Sequence, residues 1–137
     1  MKIFFDTNVL VADALLGGAA MRMLDATEQA RWRIFTSRFV LDELARVLLE
    51  DFQFSRRLAA LAQARIIRRS GIIEPLSAAQ VPHDPNDTPI LQAALTCGAD
   101  YLVTNDRHLF GLNPFEGLRI ISMNDYFRML QDQGMLQ

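Results

Sequence analysis

Met1-Lys2-Ile3-Phe4-Phe5-Asp6-Thr7-Asn8 is the stretch on which the fold turns. Ile3, Phe4 and Phe5 form an apolar run too short for an ordinary helix and rich in strand formers. Apolar residues on both phases of a period-two repeat predict a strand buried on both faces, as in a parallel sheet. The run ends abruptly in Asp6, Thr7 and Asn8, and Val9-Leu10-Val11-Ala12 then reads as helix. A carboxylate therefore sits where a central strand gives way to a helix, the edge at which open α/β sheets bind ligands. The competing role for Asp6, Thr7 or Asn8 is simply to cap that helix.

Outward from this stretch the chain alternates. Residues 8–16 and about 19–31 read as helices separated by Gly17-Gly18. Arg33-Ile34-Phe35-Thr36 reads as a strand, with Ser37 capping a helix through Leu49. A helix over Ser55–Arg69 stops near Gly71, and Ile72-Ile73-Glu74-Pro75 is the third expected strand. His83-Asp84-Pro85-Asn86-Asp87 is dense in turn formers, and Asp87 with Pro89 opens a helix through Thr96. Tyr101-Leu102-Val103-Thr104 is a fourth strand closing on Asn105-Asp106. Leu118–Ser122 is a fifth, and Asn124–Gln131 a last helix. Strands interleaved with helices predict a parallel α/β sheet with right-handed crossovers. No linker, repeat or low-complexity segment interrupts residues 1–137, which read as a single domain.

Composition bounds the partners. The 137 residues are 50% hydrophobic, enough for a real core, and the net charge of −2 announces neither nucleic acid nor membrane. The distribution says more. Residues 31–69 hold nine Arg against Asp42, Glu43, Glu50 and Asp51, a balance of +5; the remainder holds five basic residues against twelve acids, −7. Thirteen of the fourteen basic residues are Arg, suited to bidentate phosphate contacts. Cys97 is the only cysteine, so no internal disulfide or zinc framework is expected, and it reads as a small core residue. Asp6 interrupts the first apolar run too early for a signal peptide. No apolar stretch approaches a membrane span, and a cytoplasmic protein is expected.

Position sorts the acids. Asp106 repeats the Asp6 pattern, an apolar strand followed by a polar, acidic turn, so both carboxylates belong at the same edge of a parallel sheet. Asp87, at the start of the helix before the Asp106 strand, is expected at that rim. Glu43 follows from a helical wheel. The apolar residues of helix 38–49 centre between Val40, Leu44 and Val47. Asp42 then points into solvent, and Glu43 falls at the margin of the buried face. A carboxylate there is costly to desolvate unless it pairs, with Arg46 for example, or meets a cation. Acids gathered at one place repel one another unless a divalent ion intervenes. All-oxygen ligation suits Mg²⁺ or Mn²⁺ rather than zinc, and such ions activate water for attack on a phosphodiester.

These residues carry a resemblance. Asp6-Thr7-Asn8-Val9-Leu10, Asp42-Glu43-Leu44 with Val47-Leu48, Asp84-Pro85-Asn86-Asp87 followed by Ala93-Ala94-Leu95, and Gly98-Ala99-Asp100-Tyr101-Leu102-Val103-Thr104-Asn105-Asp106 resemble a PIN-domain protein of the VapC-like toxin branch. The likeness runs from Lys2 to about Asn124. It implies a three-layer α/β/α fold with a parallel five-stranded sheet of order 3-2-1-4-5. It also implies Mg²⁺- or Mn²⁺-dependent endonucleolytic cleavage of RNA, an antitoxin protein as partner, and a possible homodimer. Asp6, Glu43, Asp87 and Asp106 match the family's catalytic, metal-holding quartet; Asn8 and Thr104 match its polar positions beside the metal. Asp84 is a further acid that supports the site or builds the turn. Arg57, Arg65, Arg68 and Arg69 share one side of helix 55–69, opposite Ala59, Ala62, Ile66 and Ile67, and are candidates for RNA contact, against the plainer role of a solvated face. His83, His108 and Trp32 are read as turn, surface and packing residues.

Two other classes compete. A haloacid-dehalogenase-like phosphatase wants an Asp where Asn8 stands, and a phospho-receiver wants a late Lys, whereas Lys2 is the only lysine. A non-catalytic PIN-like scaffold acting through protein contacts fits the same fold but leaves the acids without a task.

Overall fold

The computed structural model describes residues 1–74 and 88–136, Thr88 by its backbone alone. Its elements in chain order are β1 (Lys2–Phe5), α1 (Thr7–Leu16), α2 (Gly18–Gln29), β2 (Arg33–Ser37), α3 (Arg38–Asp51) and α4 (Arg56–Arg69). β3 (Ser70–Ile73), α5 (Thr88–Thr96), β4 (Tyr101–Val103), α6 (Arg107–Phe110), β5 (Arg119–Ile121) and α7 (Met123–Asp132) follow. The sheet is parallel throughout, in the order β3-β2-β1-β4-β5.

β1 is central because its side chains accept burial on both sides. Ile3, Phe4 and Phe5 are all at most 1% exposed, which requires cover over both faces of the sheet. On one side Phe5 meets Tyr126 of α7 edge to face, with ring centroids 5.8 Å apart. The Tyr126 hydroxyl in turn bonds the Thr27 hydroxyl of α2, closing a polar contact inside the core.

The caps fall where the sequence puts them. Ser37 accepts from Val40 N–H at 3.2 Å and starts α3; Ser55 accepts from Leu58 N–H at 3.1 Å and starts α4. Gly17, at φ +59°, turns the chain from α1 into α2 in a backbone region that disfavours side chains.

Two features depart from expectation. β3 begins at Ser70, two residues before the expected Ile72, and ends at Ile73. Ser70 leaves α4 directly in an extended conformation and pairs with Ile34 of β2, so no loop separates helix from strand. The short helix α6 was not expected. Asp106 nucleates it by accepting from His108 N–H at 3.0 Å, a four-residue turn too brief to leave a periodic pattern. The expected turn 83–87, with Asp84 and Asp87, lies outside the described residues.

Candidate active site

The register of β1 on β4 builds the site. Phe5 pairs with Val103, and the ladder continues as Asp6 N–H donates to Val103 C=O at 2.9 Å. The next residues of the two strands, Asp6 and Thr104, are thereby set side by side at the C-terminal rim. Thr104 Oγ1 donates to Asp6 Oδ2 at 2.6 Å, and Asn8 Nδ2 donates to the same oxygen at 3.3 Å. Asp6 Oδ1 accepts from Thr7 N–H at 2.7 Å. Capping and site-building are thus both done by Asp6, one carboxylate oxygen for each.

Thr104 and Asn8 extend the network to the neighbouring turn. Thr104 Oγ1, while donating to Asp6, accepts from Asp106 N–H at 3.0 Å. Asn8 Oδ1 accepts from Asn105 N–H at 3.3 Å, and Asn105 Oδ1 accepts from Met123 N–H at 3.3 Å. The turn carrying Asp106 is therefore tied both to the Asp6 strand end and to the start of α7. His108 is exposed and lends the site only its backbone N–H.

Glu43 arrives from the other side. β2 ends at the same rim, Ser37 starts α3 there, and α3 packs against α1. Asp42 is exposed and Glu43 half-buried, as the wheel predicts. Glu43 lies 4.0 Å from Arg46, a loose ion pair that leaves the carboxylate available. Asp6, Asn8, Glu43 and Asp106 line one open pocket of about 360 Å³ with Thr7, Val11, Val47 and Ile90. Sequence reasoning missed Val11 and Val47, although they lie one helical turn beyond Thr7 and Glu43 on the same faces. It also missed Ile90, which carries no chemical signature. Thr7 is buried, and its hydroxyl finds no hydrogen-bond partner among the described residues.

The electrostatics follow from burial. Asp6 is pushed up from 3.8 to about 6, chiefly by desolvation, with Glu43 and Asp106 adding repulsion. The Thr104 and Thr7 hydrogen bonds oppose that rise without cancelling it. Among the described residues, no three His, Cys, Asp or Glu side chains by themselves form a metal-holding cluster.

The Arg candidates divide. Arg69 forms ion pairs with Asp25 at 2.7 Å and Glu28 at 3.0 Å and is only 20% exposed. Arg65 stands 4.0 Å from the buried Asp13. Arg57 and Arg68 are exposed. Two of the four arginines are thus directed toward the acids of α1 and α2, and the four do not form one uniform solvent face. Ile67, expected on the buried side, is 39% exposed. Cys97 is buried and Trp32 packs partly buried against the core, as expected.

A central parallel sheet of order 3-2-1-4-5 with carboxylates at its C-terminal rim is the arrangement of PIN-type α/β proteins. Residues 2–108 match the PIN domain family model, and the chain belongs to that family. Its members are generally nucleases. In fold it is similar to a chain of VapBC2 from Rickettsia felis, crystallised bound to a DNA fragment from their promoter. That match has a TM-score of 0.69 and 19% identity, covering 89% of this chain and 98% of that one. It is equally similar to PAE2754 from Pyrobaculum aerophilum, with TM-score 0.69, 17% identity, and 97% and 91% of the two chains covered. No curated protein sequence matches it. Among the described residues no helix is long and apolar enough to cross a membrane.

Proposed function

We propose that this protein is a Mg²⁺- or Mn²⁺-dependent endoribonuclease and the toxin of a toxin–antitoxin pair. The observation that carries the proposal is the rim pocket shared by Asp6, Glu43 and Asp106. Burial and mutual repulsion hold Asp6 well above the ordinary carboxylate range, a cost that a bound divalent cation relieves. The all-oxygen donor set is of the kind hard cations take.

Asp6, Glu43 and Asp106, with Asp87, would hold the ion. When bound, such an ion supplies an activated water and charge stabilisation for the phosphodiester oxygens. The chain's own part is orientation. Thr104 and Asn8 fix the Asp6 carboxylate, and the Thr104 hydroxyl ties the Asp106 backbone to it. Glu43, half-buried and lining the pocket, faces the same space from α3. The fold likeness to a VapBC2 chain supports a search for a partner protein.

The test is incubation of the purified protein with mixed RNAs in Mg²⁺, Mn²⁺ or chelator, beside Asp6→Asn. Cleavage that needs the metal and fails in Asp6→Asn is expected. Intact RNA under every condition would favour the scaffold class instead.

A further inference from the structure

Beside the rim pocket lies a second recess of about 360 Å³, lined by Phe39, Asp42, Glu43 and Arg46 of α3. Glu43 lines both, so the two spaces adjoin at one side chain. Phe39 stands one helical turn before Glu43, and α3 presents the two on one face. Phe39 is 40% exposed, so aromatic surface is open to solvent in the recess next to the rim pocket. Arg46 and Asp42 are exposed beside it.

We propose that this recess holds an unpaired nucleobase of the RNA strand, next to the phosphate that enters the rim pocket. The proposal rests on the nuclease reading and names the part of its substrate that the rim pocket does not contact. A flat aromatic surface stacks any base, and stacking is strongest where the base is splayed from its neighbours, as in single-stranded RNA. The charges fit a base better than a phosphate. Asp42, exposed in the recess and outside the proposed metal set, repels phosphate oxygens, yet its carboxylate accepts from exocyclic amino groups. Arg46, already near Glu43 at 4.0 Å and Glu50 at 3.5 Å, balances the recess rather than making it an anion site. Adenine, guanine and cytosine are therefore favoured over uracil, and single strands over duplex.

The probe is a short single-stranded oligoribonucleotide carrying one 2-aminopurine, bound to an Asp106→Asn variant so that the strand stays whole. Binding is expected to quench the probe. Adding Phe39→Ala should abolish the quench and weaken binding about tenfold, the scale of one stacked base. Phe39→Trp should keep both. The salt dependence should stay the same, because Phe39 touches no phosphate. An all-uridine strand should bind more weakly, and Phe39→Ala should matter less to it. Wild-type affinity and quench in Phe39→Ala would overturn the proposal, as would a weakening accompanied by a change in oligomeric state relative to the wild type. Metal-dependent cleavage by the wild type is scored separately. Its absence would sink the nuclease reading, whereas an unchanged quench would sink only the base site.

Discussion

Thr104 Oγ1 donates to Asp6 Oδ2 at 2.6 Å while accepting from Asp106 N–H at 3.0 Å. One buried hydroxyl thus joins the ends of two adjacent strands. Thr104→Val keeps the shape and removes both bonds. The Asp6 carboxylate is then without its closest side-chain donor, and a charge-assisted bond of this kind is worth about 1.5–3 kcal/mol. Denaturant unfolding at neutral pH should show a decrease of that size, and RNA cleavage should fall with it. Thr104→Ser should restore both. A valine variant as stable and active as the wild type would mean the hydroxyl orients nothing.

A second test concerns the sheet. A Cβ built on Gly71 of β3 would lie 2.7 Å from Cε1 of Phe35, whose ring is itself covered by the Arg33 guanidinium 4.8 Å from its centroid. The ring has little room to withdraw, since Phe35 is buried. Gly71→Ala should cost about 1–3 kcal/mol by overpacking, read as a lower unfolding midpoint. Combining it with Phe35→Leu should recover part of that stability. Equal stability of Gly71→Ala and wild type would show that β3 shifts freely.

The arginines separate stability from RNA contact. Arg69 bridges α4 to Asp25 and Glu28 of α2, so Arg69→Met should lower stability by about 1 kcal/mol, within the range of partly exposed ion pairs. Arg57 and Arg68 are exposed, and replacing both should leave stability nearly unchanged. If they touch RNA, the salt slope of binding should flatten by about 0.7 for each phosphate no longer neutralised. A slope unmoved by Arg57→Ala with Arg68→Ala would assign them to a solvated face alone.

These differences mark what sequence can carry. Ile3-Phe4-Phe5 was legible as a central strand because burial on both faces removes the usual alternation, leaving a run no surface element would tolerate. The rim was legible because Asp6 and Asp106 each follow such a run. Glu43 was legible from its angle on α3. The angle of Arg69 on α4 was equally readable, but a helical wheel does not say that Asp25 and Glu28 face it across a groove. Ile67 fails for the same reason: it sits near the apolar sector, and nothing in its spacing reveals that no neighbour among the described residues covers it. The early start of β3 at Ser70 depends on pairing with Ile34, a contact 36 residues away in sequence.

The pH dependence of stability gives the most direct test of the rim. Asp6 holds its proton more tightly in the folded chain, about 6 against 3.8. The folded state therefore binds more protons than the unfolded state across that interval. By linkage, this group's contribution to stability falls as pH rises through that window, then levels off above it. The full effect is about 3 kcal/mol. In chelator, Asp6→Asn should lack this fall and match or exceed the wild type at neutral pH, while giving up most cleavage. Glu43→Gln and Asp106→Asn relieve the lesser repulsive contributions and should reduce the fall without removing it. Mg²⁺ should stabilise the wild type by binding the folded state, and more so above pH 6, where Asp6 is already ionised; Asp6→Asn should gain less. An unfolding variant would look different, melting lower in chelator at every pH. If wild type and Asp6→Asn share one pH profile and one response to Mg²⁺, the rim carboxylates are not acting on a common cation, and the metal-nuclease proposal fails with them.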